Sequence, residues 1–410
     1  MKVMDVRFDI ANYKNKDKFV KALLYLKNEA PSIDKVPAGF DVPKPTNRYD
    51  DFVLMQFLAF NNSSLMYAHG APTFLPWHRV YLRLFEKELQ KNPQFSDVTI
   101  PYWDWTSEAS TRALFSDEVM GNDGRYSDGR VMRGQFAYDK GNWTLYHDTR
   151  FDLGSGFNRP DLCRKLGYRQ LDDRVGRIVL PTSEDIDGVL ATEPYDAEPW
   201  NSSQFAKPSF RNHLEGNYPG NVRPHNSVHM WVGGIREQTI ENQQREVLYI
   251  GTMAGASSPN DPIFFLHHSN IDRLWADWQL QANHWSLPYK GYLPINSEQL
   301  ESQPYSVNEP LKPWNIYTPA STADFYQIDS QGYKYDRYHR KEIVDQKSTP
   351  CIQNKSVDLN IHLDVSSSSS LEAFSMENSF DENQFKLIFG NPDNFRASVN
   401  KSFFALDPLD

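Results

Sequence analysis

The chain is 410 residues long and carries a net charge of -10, from 43 Lys and Arg against 53 Asp and Glu. That balance excludes a nucleic-acid binder, which needs a basic face to neutralise phosphates, and a polybasic membrane-surface protein. Apolar residues at 39% and aromatics at 14% support a sizeable core, and no apolar run approaches the roughly 18 residues of a transmembrane helix, so a soluble globular protein is expected.

In chain order, residues 1–7 lack the apolar stretch of a secretory signal. Within 15–29, Phe19, Val20, Leu23, Leu24 and Leu26 gather mostly on one helical face. A Pro- and Lys-rich connector leads to residues 49–60, apolar nearly all round, which predicts a buried helix. A polar loop from Asn61 ends at Pro76, a residue suited to the first turn of a helix over 77–90. Residues 107–209 are rich in Gly, Asp, Asn and Pro, and read as loop-dominated insertions around a helical core. Helical patterns return at 222–232, closed by Gly233 and Gly234, and at 262–280. Past Glu342, Val357, Leu359, Ile361, Leu363 and Val365 alternate with Asp358, Asn360, His362 and Asp364, the pattern of a half-buried strand. Five serines, 366–370, follow as a flexible turn or linker, and 385–389 is a second strand candidate. The expected organisation is a mainly α domain with long loops over 1–345 and a small β-rich extension over 346–410.

Cys163 and Cys351 allow one internal disulfide at most and belong to no CxxC or Cys/His cluster, so this is not a disulfide-stapled scaffold. Sequons at Asn61, Asn62, Asn142, Asn201, Asn354 and Asn400 are no more than such a composition yields by chance. The compartment is left open, secretion included, and the sequence assigns no oligomeric state.

The chemistry lies in the histidines. His225 and His229, four apart, share one helix face at a spacing that chelates one metal ion. The adjacent pair His267 and His268 sits in an apolar helix, where burying two imidazoles is costly unless each finds a partner, and a metal ion supplies one. His69 and His78 lie nine apart across a loop that enters a helix. Imidazoles without thiolate suit copper, zinc or iron, and ligand softness alone does not choose.

The motifs do choose. Phe74, Leu75, Pro76, Trp77, His78, Arg79, Val80, Tyr81, Leu82, with Phe85 and Glu86, then Pro101, Tyr102, Trp103, Asp104, Trp105, closely resemble the CuA half of tyrosinases and catechol oxidases. His225 and His229 with Trp231, Val232, Gly233 and Gly234, then Ser258 to Pro262, His267, His268, Asp272, Arg273, Leu274 and Trp275, resemble the CuB half. Tyr333, Lys334 and Tyr335 resemble the segment that closes the family's catalytic domain. The resemblance implies a four-helix bundle holding two type-3 coppers, a small phenolic substrate and dioxygen as partners, and oxidation of a phenol, o-diphenol or o-aminophenol. It implies His225, His229 and His268 as CuB ligands and His69 and His78 as the second and third CuA ligands, with His267 a buried neighbour. Glu215 and Asn226 match the pair that holds a water deprotonating the phenol. Gly255 and Ala256 match the gate of the substrate mouth, which such small residues leave open. Arg79 and Asp272 are expected to form a buried ion pair, five tryptophans (Trp77, Trp103, Trp105, Trp231, Trp275) to pack around the metal helices, and Phe403 or Phe404 to be candidates for a side chain inserted from the extension.

One position departs from the family. Its first CuA histidine follows a Tyr-Asp-Asp-Phe-Val context; here Tyr49, Asp50, Asp51, Phe52 and Val53 lead to Gln56, and no histidine precedes His69. The family's thioether cysteine is also absent, its place being Tyr67. A glutamine offers a carbonyl oxygen, harder and weaker toward copper than imidazole. Three readings follow: Gln56 is an unconventional ligand of a second copper; the CuA position is empty and one copper sits on His225, His229 and His268; or the chain is an inactive scaffold retained for binding.

Overall fold

In chain order the secondary structure is β1 (Asp5–Arg7), α1 (Lys16–Leu26), α2 (Arg48–Asn61), α3 (Phe74–Gln90), α4 (Glu108–Leu114), β2 (Tyr168–Leu171), β3 (Arg174–Arg177), α5 (Ser183–Leu190), α6 (Phe210–Glu215), α7 (Pro224–Gly233), β4 (Ile235–Thr239), β5 (Arg245–Tyr249), α8 (Ile263–Leu280), β6 (Gly291–Tyr292), β7 (Tyr305–Ser306) and β8 (Tyr333–Tyr335). The structure is a computed structural model and describes residues 4–36, 40, 42–61, 68–146, 161–197, 208–216, 224–239, 245–280, 291–292, 305–306, 311 and 325–339. The extension expected at 346–410, with its strand candidates, Cys351, Phe403 and Phe404, lies outside the described residues, as does Tyr67.

The fold is mainly helical, as the periodicity predicts. Helix α1 buries Phe19, Val20, Leu23 and Leu26. Helix α3 begins at Phe74, before the expected Trp77: the Trp77 N–H donates to Thr73 O at 2.8 Å, and Pro76 falls in the first turn, where its missing donor leaves nothing unsatisfied. Helix α7 ends as Gly234 turns left-handed at φ +72° and donates its N–H to Met230 O at 2.7 Å. Helices α3 and α8 pack through Phe85 and Phe265, stacked at 3.6 Å. Helix α2 leans on both through Phe52 against Phe85 and Tyr49 against Phe265. Helix α7 meets α8 where His229 faces Phe264.

The stretch 107–209 holds more order than its composition suggests. Helix α4 is capped by Ser107, and α5 starts with a capping box in which Thr182 and Asp185 satisfy each other's backbone N–H groups. Strands β2 and β3 form a hairpin, and β2 pairs in parallel with β4, giving a sheet of order β3-β2-β4-β5 beside the end of α7. These strands are four or five residues long, too short for alternation to declare them.

Strand β1 pairs in parallel with β8, Val6 opposite Lys334. Beneath this pair lies a buried charge network. Arg7 grips Glu86 at 3.0 and 3.1 Å, and Arg83 donates to Glu86 at 2.6 Å. Asp272 accepts from Arg79 at 2.5 Å and from the hydroxyls of Tyr333 and Tyr335 at 2.6 Å each. The expected pair of Arg79 and Asp272 is thus present within a larger network. No helix among the described residues is long and apolar enough to cross a membrane.

Candidate metal centre

Helix α7 presents His225 and His229 on one face, their ring centroids 4.6 Å apart. Helix α8 brings His268 opposite them, with the two Nε2 atoms of His229 and His268 only 3.3 Å apart. Two imidazole nitrogens each about 2.0–2.1 Å from a shared ion sit roughly this far apart at a tetrahedral angle. Helix α3 adds His78, whose ring stacks on His268 at 4.0 Å, and the loop before it adds His69, 5.2 Å from His78 and 5.7 Å from His225. The five histidines expected as ligands therefore converge from three helices and one loop. His267 is in the cluster as well: with His225, His229 and His268 it offers ligand atoms all within 4.8 Å of one another. Its ring also packs on Trp105 at 5.1 Å.

The second ring nitrogens explain the orientations. Nδ1 of His78 lies 2.8 Å from Phe74 O, Nδ1 of His229 lies 2.8 Å from Met253 O, and Nδ1 of His225 lies 2.9 Å from Asn226 Oδ1. A protonated Nδ1 held by an oxygen leaves Nε2 with its lone pair, the arrangement of a metal-ligating imidazole. Nε2 of His78 and Nε2 of His225 are buried and meet no hydrogen-bonding group among the described residues. Burial brings His78 down to about 3 and His229 to about 4, and holds His69, His225, His267 and His268 well below the ordinary histidine value. Every ring is neutral at neutral pH, as a ligand requires. These donors fit a transition-metal ion.

Gln56 is buried in α2, one turn before Phe60, whose ring meets His69 edge-on at 5.0 Å. Its Oε1 has no hydrogen-bond partner among the described residues. Glu215 is fully buried at the end of α6: Oε1 accepts the Gly70 N–H at 2.6 Å and Oε2 accepts from Arg211 at 2.8 Å. Burial raises its carboxyl above the usual range, against the pull of Arg211. Asn226 supports His225 through Oδ1 and donates to Gly216 O at 3.4 Å. Gly255 and Ala256 are buried, Ala256 packing with Phe60, Met230, Ile235 and Ala254, so these positions do not open onto solvent. Of the five tryptophans, Trp77, Trp103, Trp105 and Trp275 are buried and Trp231 is half-buried.

The sequence model for the common central domain of tyrosinase matches residues 46–281, more than half of the chain. The chain belongs to the tyrosinase family. A tyrosinase of Streptomyces antibioticus is 39% identical over 315 residues, 76% of this chain and 92% of that protein. Grixazone synthase of Streptomyces griseus is 39% identical over 279 residues, 64% of this chain and 81% of that protein. A solved polyphenol oxidase from Thermothelomyces thermophila covers 67% of this chain and 70% of its own at a TM-score of 0.48 and 23% identity. Membership of the tyrosinase family supports copper binding and oxidoreductase chemistry on phenols with dioxygen.

Sequence reasoning missed Arg211 and Asp196, which bear on Glu215. The signal was partly there, since Arg211 precedes Glu215 by four on a short helix, the spacing of an ion pair on one face. Asp196 carries no such mark, because a loop segment brings it to Arg211.

Proposed function

We propose that this chain oxidises a phenol, an o-diphenol or an o-aminophenol to a quinone-type product with dioxygen, at a centre for two coppers. His225, His229 and His268 would hold one ion, and His69, His78 and Gln56 the other. The observation that carries this reading is the convergence of five buried imidazoles, of which His78, His225 and His229 have an oxygen at Nδ1 and so keep the Nε2 lone pair. The Oε1 of buried Gln56, which meets no hydrogen-bonding group among the described residues, supports its assignment as the oxygen donor in the sixth position.

Bound copper supplies a site for dioxygen and takes up the electrons that leave the phenol. The chain's own residues do the rest. Phe74 and Phe264, ringed by the histidines at 4.9 Å from His225 and 4.1 Å from His268, keep the site dry. Glu215 and Asn226 are assigned the phenol proton. The carboxylate keeps lone pairs beyond those used by Gly70 and Arg211, so it can accept the proton directly or through one water held with Asn226.

A second reading is a single copper on His225, His229 and His268, favoured by the closeness of these imidazoles and His267 to one another. Copper per chain after reconstitution, measured by mass spectrometry for the unaltered protein and Gln56→His together with oxygen uptake on a catechol, separates the readings. Two coppers and oxygen consumption in the unaltered protein are expected. One copper, rising to two in Gln56→His, replaces the first reading by the second. Copper uptake without oxygen consumption means a silent binding protein.

A further inference from the structure

Glu215 touches both halves of the histidine cluster. Its carboxylate accepts the N–H of Gly70, the residue after His69, at 2.6 Å, and its backbone carbonyl lies 3.3 Å from Nδ1 of His225. Gly70 is left-handed at φ +68°, a conformation that a glycine adopts without strain and that an anchored N–H helps to fix. Glu215 is in turn held by Arg211, which donates to Oε2 at 2.8 Å while its other donors grip Asp196 at 2.7 and 3.0 Å. All three charges are fully or almost fully buried.

The segment bearing Asp196 takes hold of the same loop from a second side. The Tyr195 hydroxyl donates to Pro72 O at 2.7 Å, and the Arg211 N–H donates to Tyr195 O at 2.9 Å. The Phe210 N–H donates to Pro194 O at 2.9 Å, and Ser209 Oγ donates to Asp196 at 3.2 Å. Helix α6 and residues 194–196 therefore form one unit with two points of attachment on residues 70–72, and Arg211 is its centre.

We propose that Arg211 is a positioning residue of the metal centre: through Asp196 and Glu215 it sets the spacing of His69 against His225. In terms of the two-copper reading, on which this inference rests, one ligand belongs to each ion, so the unit fixes how far apart the two halves sit. A planar guanidinium forking between two carboxylates suits this task, since it holds both in one plane, whereas a lysine is a single point charge. The spacing is a property of the protein before any ion arrives.

The test uses the full chain with Arg211→Lys and Arg211→Met. Amide hydrogen exchange at Gly70 is followed in the metal-free proteins, and copper affinity is measured by chelator competition. Expected in Arg211→Met are faster exchange at Gly70 and copper binding weakened about 10-fold, the lower end of the cost of removing a direct outer partner of a ligand, since Arg211 acts through Glu215. Arg211→Lys is expected to fall between this variant and the unaltered protein in both. If Arg211→Met does not fold, Arg211→Lys carries the test alone, with at least a several-fold loss of affinity expected. A role confined to holding the fold would lower the denaturation midpoint but leave Gly70 exchange and the affinity of folded molecules unchanged, and that result overturns the proposal. A single copper in the unaltered protein refutes the two-copper reading, while Gly70 exchange, which needs no metal, still decides on Arg211.

Discussion

His225 has two oxygens near its Nδ1, Asn226 Oδ1 at 2.9 Å and Glu215 O at 3.3 Å, whereas His78 and His229 each rest on one carbonyl at 2.8 Å. The backbone carbonyls cannot be removed by substitution, but Asn226 can. Asn226→Ala is expected to leave the fold intact and to weaken copper binding about 10–100-fold, because the imidazole then relies on the longer contact alone; chelator competition measures it, and an unchanged dissociation constant would mean that Glu215 O is sufficient. At this scale the sequence was legible where a residue's chemistry and its spacing coincide. His225 and His229 at i and i+4 declare a shared face, and Gln56 stands out because its place in a recognisable motif has changed its element from nitrogen to oxygen. It was illegible where a loop sets the partner: nothing near Gly70 announces that its N–H meets a carboxylate 145 residues away.

Between elements, the charges under α3 and α8 hold the helices that carry His78 and His268. Arg79 follows His78 directly and Asp272 lies one turn after His268, so their bond ties the two ligand-bearing turns together. Asp272→Asn leaves Arg79 and Arg7 buried without this anion, and we expect a loss of about 3–5 kcal/mol in urea denaturation of the metal-free protein; a loss below 1 kcal/mol would mean that the neighbouring groups reorganise. Glu86 makes a pH prediction. Burial pushes its carboxyl up, but Arg7 and Arg83 outweigh burial and bring it down to about 2. A carboxylate depressed in the folded state stabilises fully above its unfolded pKa of about 4.3 and loses that contribution as pH falls toward 2. Acid denaturation should therefore steepen between about pH 4 and 2, and Glu86→Gln, already destabilised, should show a flatter profile there. The long helices were readable because ten or more residues repeat an apolar period. The four-stranded sheet was not, because β2 meets β4 in parallel across more than sixty residues and each strand holds only two or three residues per face.

Across the whole molecule, the parallel pairing of β1 with β8 joins strands from opposite ends of the described residues. The Asp5 N–H donates to Gly332 O and the Asp336 N–H to Arg7 O, both at 3.0 Å, while the Arg7 side chain reaches Glu86 and Asp272 beneath. Short strands of three residues contribute little alone, so the charge should matter more than the ladder. Arg7→Met keeps the backbone bonds and removes the guanidinium, and is expected to cost about 3–5 kcal/mol. Removing residues 1–7 takes both and should cost only modestly more. Once β8 has paired and His339 has donated its N–H to Asp277 at 2.8 Å, the described core and every histidine of the candidate centre are in place. A chain cut after Asp345 is therefore expected to fold and to bind as much copper as the full chain, with the same thermal midpoint to within a few degrees. Thermal denaturation and copper analysis of the two chains side by side decide it: a lost copper or a midpoint lowered by about 10 °C would make residues 346–410 part of the metal domain rather than an extension of it.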